Sequence, residues 1–241
     1  MKGIILSGGV GSRLYPLTKV TSKQLLPIYN KPMIFYPLNT LIKAGIKEIL
    51  IIVAPDNAGD YLKLLGSGKE FGVKLTYEIQ DKPAGLPQAF IIGETFLGGD
   101  DVVMILGDNI FEEDVSKHIA SFKKGARVVA KEVKDPRRFG VVEFDKKMNV
   151  VSIEEKPQNP KSNFIIPGLY ICDSEVTKFA KTLKPSKRGE LEIVDLLKCY
   201  LNNNALDVRK IRGQWIDAGT FESLLKANIL AERKLHKSLI I

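Results

Sequence analysis

Lys2-Gly3-Ile4-Ile5-Leu6-Ser7-Gly8-Gly9-Val10-Gly11-Ser12-Arg13-Leu14 decides how this chain is read. After Lys2 the run 3–6 is short and apolar on both faces, so residues 2–6 have the pattern of a buried strand. The glycines that follow directly would let backbone N–H groups close on a phosphate, and Arg13 would add a bidentate clamp. The loop is not a dinucleotide fingerprint, because after Gly9 and Gly11 the third position holds Leu14. Nor is it a Walker A loop, since no Gly-Lys-Ser/Thr is present. Taken alone, it fits either a phosphate cradle or a tight glycine turn carrying a surface arginine.

Outward from this loop, short apolar runs alternate with amphipathic stretches. The patterning predicts strands over 48–53, 73–79 and 101–106 and helices over 32–44, 60–65 and 88–96. Val102-Val103-Met104-Ile105-Leu106 is apolar at every position, as a parallel sheet covered by helices requires. Repeated strand–helix alternation predicts an α/β sheet wound right-handed. Past Lys131 the pattern changes. Residues 139–144 and 150–154 flank the polar Asp145-Lys146-Lys147-Met148-Asn149 and predict a hairpin, followed by a strand over 163–172. Helices are expected over 175–183, 191–202 and 221–235, with a further strand over 206–211. With no long Gly/Ser/Pro-rich linker, the expectation is one domain over 1–241 with an elaborated second half.

Composition sets bounds around this reading. The chain has 241 residues, 44% hydrophobic and 27% charged, which excludes intrinsic disorder, collagen-like repeats and coiled coil. Two cysteines, Cys172 and Cys199, are too few for a disulfide framework, and a reducing cytoplasm is the expected compartment. No stretch approaches the roughly 18 apolar residues of a membrane span, and the N-terminal apolar run is too short for a signal peptide. The net charge of +8 points to an acidic partner, whether nucleic acid, anionic membrane or polyphosphate. Nucleic acid is disfavoured because Lys and Arg are scattered, with local excess only over 131–138 and 209–212.

Further along stands Lys23-Gln24-Leu25-Leu26-Pro27-Ile28-Tyr29-Asn30-Lys31-Pro32. Lys23 is a compact cation near the glycine loop, and Gln24 offers a donor and an acceptor suited to a base edge. Together, residues 3–32 resemble the signature of the sugar-nucleotide pyrophosphorylases, nucleotidyltransferases acting on sugar 1-phosphates. The Lys-Gln-Leu-Leu-Pro form is similar to that family's thymidylyltransferase branch. The resemblance extends over nearly the whole chain, and it implies a Rossmann-like α/β/α three-layer sandwich with a mostly parallel mixed sheet. It assigns residues 1–112 to a nucleotide-binding half and 113–241 to a sugar-phosphate-binding half.

Site residues follow from the same resemblance. Gly8, Gly9, Gly11, Ser12, Arg13, Lys23 and Gln24 are expected to bind the nucleotide, with Gln80 and Gly85 holding the pyrimidine. Asp108 follows an all-apolar strand, where open α/β sheets bind ligands, and a carboxylate there suits a hard cation such as Mg²⁺. Without the family, an Asx-turn ending the strand is the alternative. In the family, Trp215-Ile216-Asp217-Ala218-Gly219-Thr220 is similar to the segment supplying a second metal carboxylate, so Asp108 and Asp217 form the expected pair. Asn109, Gly140, Glu155, Lys156, Gly168 and Tyr170 are expected around the sugar phosphate. Pro87 and Pro167 depart from the usual alanine and threonine. Arg188-Gly189-Glu190-Leu191-Glu192-Ile193 also matches and is read as the start of a helix near the pocket, structural more than chemical.

The resemblance implies Mg²⁺-dependent attack of glucose 1-phosphate on the α-phosphorus of dTTP or UTP, with Arg13, Lys23, Asp108 and Lys156 as the catalytic set. The alternatives are a UTP- or GTP-specific relative and a non-catalytic regulatory relative. Longer family members continue well past the last predicted helix into a segment that serves an interface and a regulatory site. The expectation here is a short form with weakened feedback, assembling as a homo-oligomer, with a dimer favoured.

Overall fold

The computed structural model describes residues 1–238. The chain end at Ile241, on which the short-form expectation rests, lies outside them. Strand β1 (Lys2–Ser7) leads through the glycine loop and three short 3₁₀ turns to a small ribbon, β2 (Pro27–Ile28) and β3 (Lys31–Pro32). Next come α1 (Phe35–Lys43), β4 (Glu48–Val53), α2 (Ala58–Leu65), β5 (Lys74–Ile79), α3 (Gln88–Ile92) and α4 (Glu94–Leu97). β6 (Val102–Leu106), β7 (Asn109–Phe111), α5 (Ser116–Ala120) and β8 (Ala126–Glu132) complete the first half. The second half holds β9 (Gly140–Phe144), β10 (Val150–Glu155), β11 (Phe164–Ile165), β12 (Leu169–Cys172), α6 (Val176–Thr182) and α7 (Ile193–Asn202). It ends with β13 (Leu206–Lys210), β14 (Trp215–Asp217) and α8 (Phe221–Ser238).

Ten strands make one mixed sheet in the order β10-β9-β11-β8-β12-β6-β1-β4-β5, with β13 added in parallel to β8. β6, β1, β4 and β5 are all parallel, while β12 runs antiparallel between β6 and β8. The central strands are buried on both faces, which is why their sequences do not alternate. Ile4, Leu50, Ile52, Val102 and Met104 pack under α3, α6 and α7. Ile5, Ile49, Ile51, Val103 and Ile105 pack under α1, α2 and α5. Each such side chain removed from water contributes about 1.5–3 kcal/mol, and the two cores hold the sheet between layers of helices. A third, smaller core of Ile28, Met33, Ile110, Ile216, Ala218, Ala227 and Leu230 ties the ribbons and α8 together.

Four sequence expectations shift. The helix predicted from Pro32 begins at Phe35, because Pro32 pairs with Pro27 in the β2–β3 ribbon and Ile34 N–H is taken by the Gln24 carbonyl. The single helix over 88–96 breaks at Gly93, a poor helix former that packs closely on Ile4 and Leu50. The strand over 163–172 divides at Pro167-Gly168: Pro167 has no N–H to give a ladder, and Gly168 N–H goes to Asn109 instead. Its two pieces then pair differently, β11 with β9 and β8, β12 with β6 and β8. β8, a central strand, is not among the strands that the patterning predicts. Among the described residues, no helix is long and apolar enough to cross a membrane.

Candidate active site

β1 lies between β4 and β6, so successive crossovers leave it in opposite directions. The crevice outside the carboxyl ends of strands at such a switch point is where open α/β sheets bind ligands. A cleft of about 630 Å³ opens there. The glycine loop leaves β1 on one side of it, and Gly107-Asp108-Asn109 leaves β6 on the other. β14 pairs antiparallel with β7, setting Asp217 opposite Asn109, and Ala218 N–H is bound by the Asp108 carbonyl at 2.9 Å. Two aspartates 109 positions apart in the chain thereby face one space.

Asp108 is buried, and its carboxylate accepts the Lys23 ammonium on one oxygen and Asn109 Nδ2 at 2.9 Å on the other. Burial opposes its ionisation, but the Lys23 charge and the hydrogen bonds prevail and hold the carboxyl below the usual carboxylate range. Asp217 moves the other way. Burial, reinforced by the charge on Asp108, pushes its carboxyl up against the pull of Lys23 and Arg13. Arg13 Nη2 stands 3.9 Å from Asp217 Oδ2 and is half exposed to the cleft. The charge on Asp108 opposes the ionisation of Asp217, so a cation beside the two carboxylates would be favoured. Their hard oxygens, with no third His, Cys, Asp or Glu grouped beside them among the described residues, fit a divalent ion completed by substrate phosphates.

Gly9, Gln24, Gln80 and Gly85 line the cleft wall beside the glycine loop. Gln24 is buried, and its Oε1 accepts from Ser22 Oγ at 2.6 Å and Tyr61 OH at 3.3 Å. Its amide nitrogen alone remains for a ligand, so the expected double offer of donor and acceptor is halved. Gly8, Gly11 and Ser12 do not line the cleft. Gly8 instead lies under Gln80, and Gly11 makes the loop's turn at φ 71° with its carbonyl held by Thr18 Oγ1 at 2.9 Å.

Asn109, Gly140, Glu155, Lys156, Gly168 and Tyr170 line the same cleft. Asn109 Oδ1 accepts Gly168 N–H at 2.9 Å and Trp215 Nε1 at 2.7 Å, which orients its amide. Glu155, at the end of β10, meets Lys156 Nζ and Arg188 Nη2, each at 3.5 Å. Burial raises the Glu155 carboxyl and Glu192 adds to the shift, outweighing these two cations. Lys156 sits at φ 43°, an uncommon conformation for a residue with a Cβ, and its N–H binds the Phe139 carbonyl at 3.0 Å. Burial also raises the Tyr170 hydroxyl, which stays neutral.

The cleft contains residues that sequence reasoning passed over. Arg188 is not merely part of a helix start: it lies in the wall, held to Glu192 Oε2 at 2.6 Å. Leu191 pairs with Gly85 in an isolated bridge, which ties this segment to the loop after β5. Arg137, Arg138 and Trp215 line it as well. The local cationic excess over 131–138 was the available signal for the first two.

Comparison with known proteins places this geometry. A family model described as nucleotidyl transferase matches residues 2–234. A glucose-1-phosphate thymidylyltransferase of Neisseria meningitidis is 54% identical over 233 residues, 94% of this chain and 81% of that protein. One from Mycolicibacterium smegmatis is 49% identical, covering 95% of this chain and 81% of its own length. Among solved structures, a Bacillus anthracis protein assigned the same activity and crystallised with sucrose superposes with a TM-score of 0.91 at 48% identity, covering 96% of this chain and 95% of that one. A UDP-glucose pyrophosphorylase bound to UDP-glucose, 22% identical, covers 97% and 98% with a TM-score of 0.83 and shares the fold.

Proposed function

The chain belongs to the nucleotidyl transferase family and is an enzyme that transfers a nucleotidyl group to a sugar 1-phosphate; from that premise we propose that its substrates are dTTP and α-D-glucose 1-phosphate, its products dTDP-glucose and pyrophosphate, and its metal Mg²⁺. One observation carries this reading. One cleft is lined by four cations, Arg13, Lys23, Lys156 and Arg188, together with the carboxylates Asp108 and Asp217.

A phosphate oxygen of the sugar phosphate attacks the α-phosphorus of the triphosphate, forming one P–O bond as the bond to pyrophosphate breaks in line. The attacking phosphate is already anionic at neutral pH, so no general base is required. The barrier is the approach of two anions, which positioning and charge neutralisation lower. Arg13 binds the departing β- and γ-phosphates. Lys156 and Arg188, both already drawn to Glu155, hold the incoming phosphate. Lys23 turns from Asp108 toward the phosphate path. Glu155 accepts from sugar hydroxyls, Asn109 orients beside them, Gly140 and Gly168 leave room for the hexose, and Tyr170 walls it. Gln80 and Gly85 hold the base. Asp108 and Asp217 would hold Mg²⁺, which when bound supplies charge neutralisation at the α-phosphate.

We read residues 1–112 as the nucleotide half and 113–241 as the sugar-phosphate half of one unit, a reading supported by the sheet running unbroken through both. Phe221, Leu225 and Ile229 are exposed at successive turns of α8, which supports self-association as a homodimer, testable by sedimentation. Two free cysteines support a cytoplasmic setting. The test of function is pyrophosphate release from dTTP, UTP, GTP and ATP with glucose 1-phosphate, with and without Mg²⁺. Turnover fastest with dTTP is expected. Release with UTP or GTP alone would identify a different branch of the family, and none at all would indicate a non-catalytic relative.

A further inference from the structure

The base-facing amide of Gln80 is held in one sense by a residue with no part in the reaction as described. Ala84 N–H donates to Gln88 Oε1 at 2.8 Å. A backbone amide can only donate, so the Gln88 atom it meets is the oxygen. The Gln80 amide approaches that same oxygen at 2.7 Å, and therefore does so through its nitrogen, Nε2. Gln80 Oε1 is left as the free end, above the Cα of Gly8: a Cβ there would lie 2.1 Å from it. The backbone behind it is pinned as well, Gln80 N–H donating to the Val53 carbonyl at 2.8 Å. Gln80 is 3% exposed and lines the cleft. Its Oε1 has no protein partner yet is not sealed, for among the described residues Ser7 Oγ alone is a buried side-chain polar atom without one.

We infer that Gln88 is a positioning residue that fixes Gln80 as a hydrogen-bond acceptor toward the cleft, and thereby makes the site select pyrimidines with a protonated ring nitrogen, N3–H, over cytosine. The inference rests on the nucleotide reading of this cleft. A pyrimidine-2,4-dione offers N3–H to the waiting oxygen. Cytosine offers a lone pair at N3, which repels it, and Gln80 cannot turn over to donate without breaking its bond to Gln88. A buried acceptor facing a lone pair loses its partner as well as its water, the costly half of hydrogen-bond energetics.

The experiment is equilibrium binding of dTTP and dCTP, with Mg²⁺ and without sugar phosphate, to wild type, Gln88→Leu and Gln88→Glu. Wild type is expected to prefer dTTP. Q88L frees the Gln80 amide to rotate, and the dTTP-over-dCTP ratio should fall about tenfold. Q88E keeps an acceptor for both Ala84 N–H and Gln80 Nε2 and should keep the ratio. If Q88L does not fold, Gln88→Met carries the same expectation with a closer shape. An equal loss for both nucleotides in Q88L, or a Q88E that behaves like Q88L, overturns the inference, as does a wild type that binds the two alike. Selective dTTP binding without pyrophosphate release would overturn the transfer reading and leave this one standing.

Discussion

Replacing Lys23 with Met removes the cation from a nearly enclosed pair. The Lys23 and Asp108 side chains are 14% and 10% exposed, and Asp217 stands next to them. Breaking a buried ion pair by deleting one partner costs about 3–5 kcal/mol, since a charge is left buried and unmatched. Water entering the cleft reduces this, so a loss of about 2–3 kcal/mol is expected, equivalent to a melting temperature about 5–10 °C lower for a chain of this size. The sign of the pH dependence follows from the depressed Asp108 carboxyl. The stabilisation from the pair is complete above the unfolded carboxylate value of about 3.9 and is lost as pH falls through the lower folded value. The deficit of K23M should therefore be largest at neutral pH and shrink as pH falls toward about 4, because without Lys23 burial raises the Asp108 carboxyl and the variant protonates it above the unfolded value. The assay is thermal melting in EDTA from pH 7 to pH 3.5. A Lys23→Met/Asp108→Asn double variant should recover most of the loss, because neither charge remains. A deficit of equal size at both ends of the pH range, or a double variant no better than the single, would refute the reasoning.

Arg13→Ala should lower kcat by about a hundredfold or more while the melting temperature holds, since the guanidinium is half exposed and serves charge in the transition state. Gly219→Ala places a methyl 2.8 Å from both Arg13 Nη2 and Asp217 Oδ1, so turnover should fall at least tenfold and the apparent affinity for Mg²⁺ should weaken, both read by titrating the metal in the pyrophosphate assay. Glu155→Gln should divide stability from function. The Glu155 carboxyl is raised mainly by burial, so its ionisation costs stability as pH rises from the unfolded value toward the folded one. The variant should melt higher than wild type at pH 7, match it near pH 4, and show a higher KM for glucose 1-phosphate. Equal melting at pH 7 would remove the pKa argument. Chelation of divalent metal should abolish pyrophosphate release and Mg²⁺ should restore it.

Much of the cleft around the glycine loop is legible in the sequence because it is local. The glycine loop, Arg13, Lys23 and Gln24 lie within one stretch of chain, and doubly buried β1, β4 and β6 announce themselves by unbroken apolar runs. Wherever one residue's hydrogen bond belongs to a distant partner, the local pattern misled. Pro32 reads as a helix start but closes a ribbon. Residues 163–172 read as one strand but part where Gly168 is claimed by Asn109. Arg188 reads as scaffold because nothing in its own segment shows that the Gly85–Leu191 bridge carries it to the cleft.

By itself the sequence determined the class of fold, the glycine loop with its cations and, through resemblance, the family, since each is written in adjacent residues or in burial periodicity. The tertiary structure alone decided that Asp108 and Asp217 share one space, that their two carboxyls shift in opposite directions, and which end of the Gln80 amide is left free toward the cleft. Those properties depend on distances of a few ångströms between segments remote in the chain. Coulomb energy and hydrogen-bond geometry vary steeply over such distances, and no order of residues along one strand specifies them.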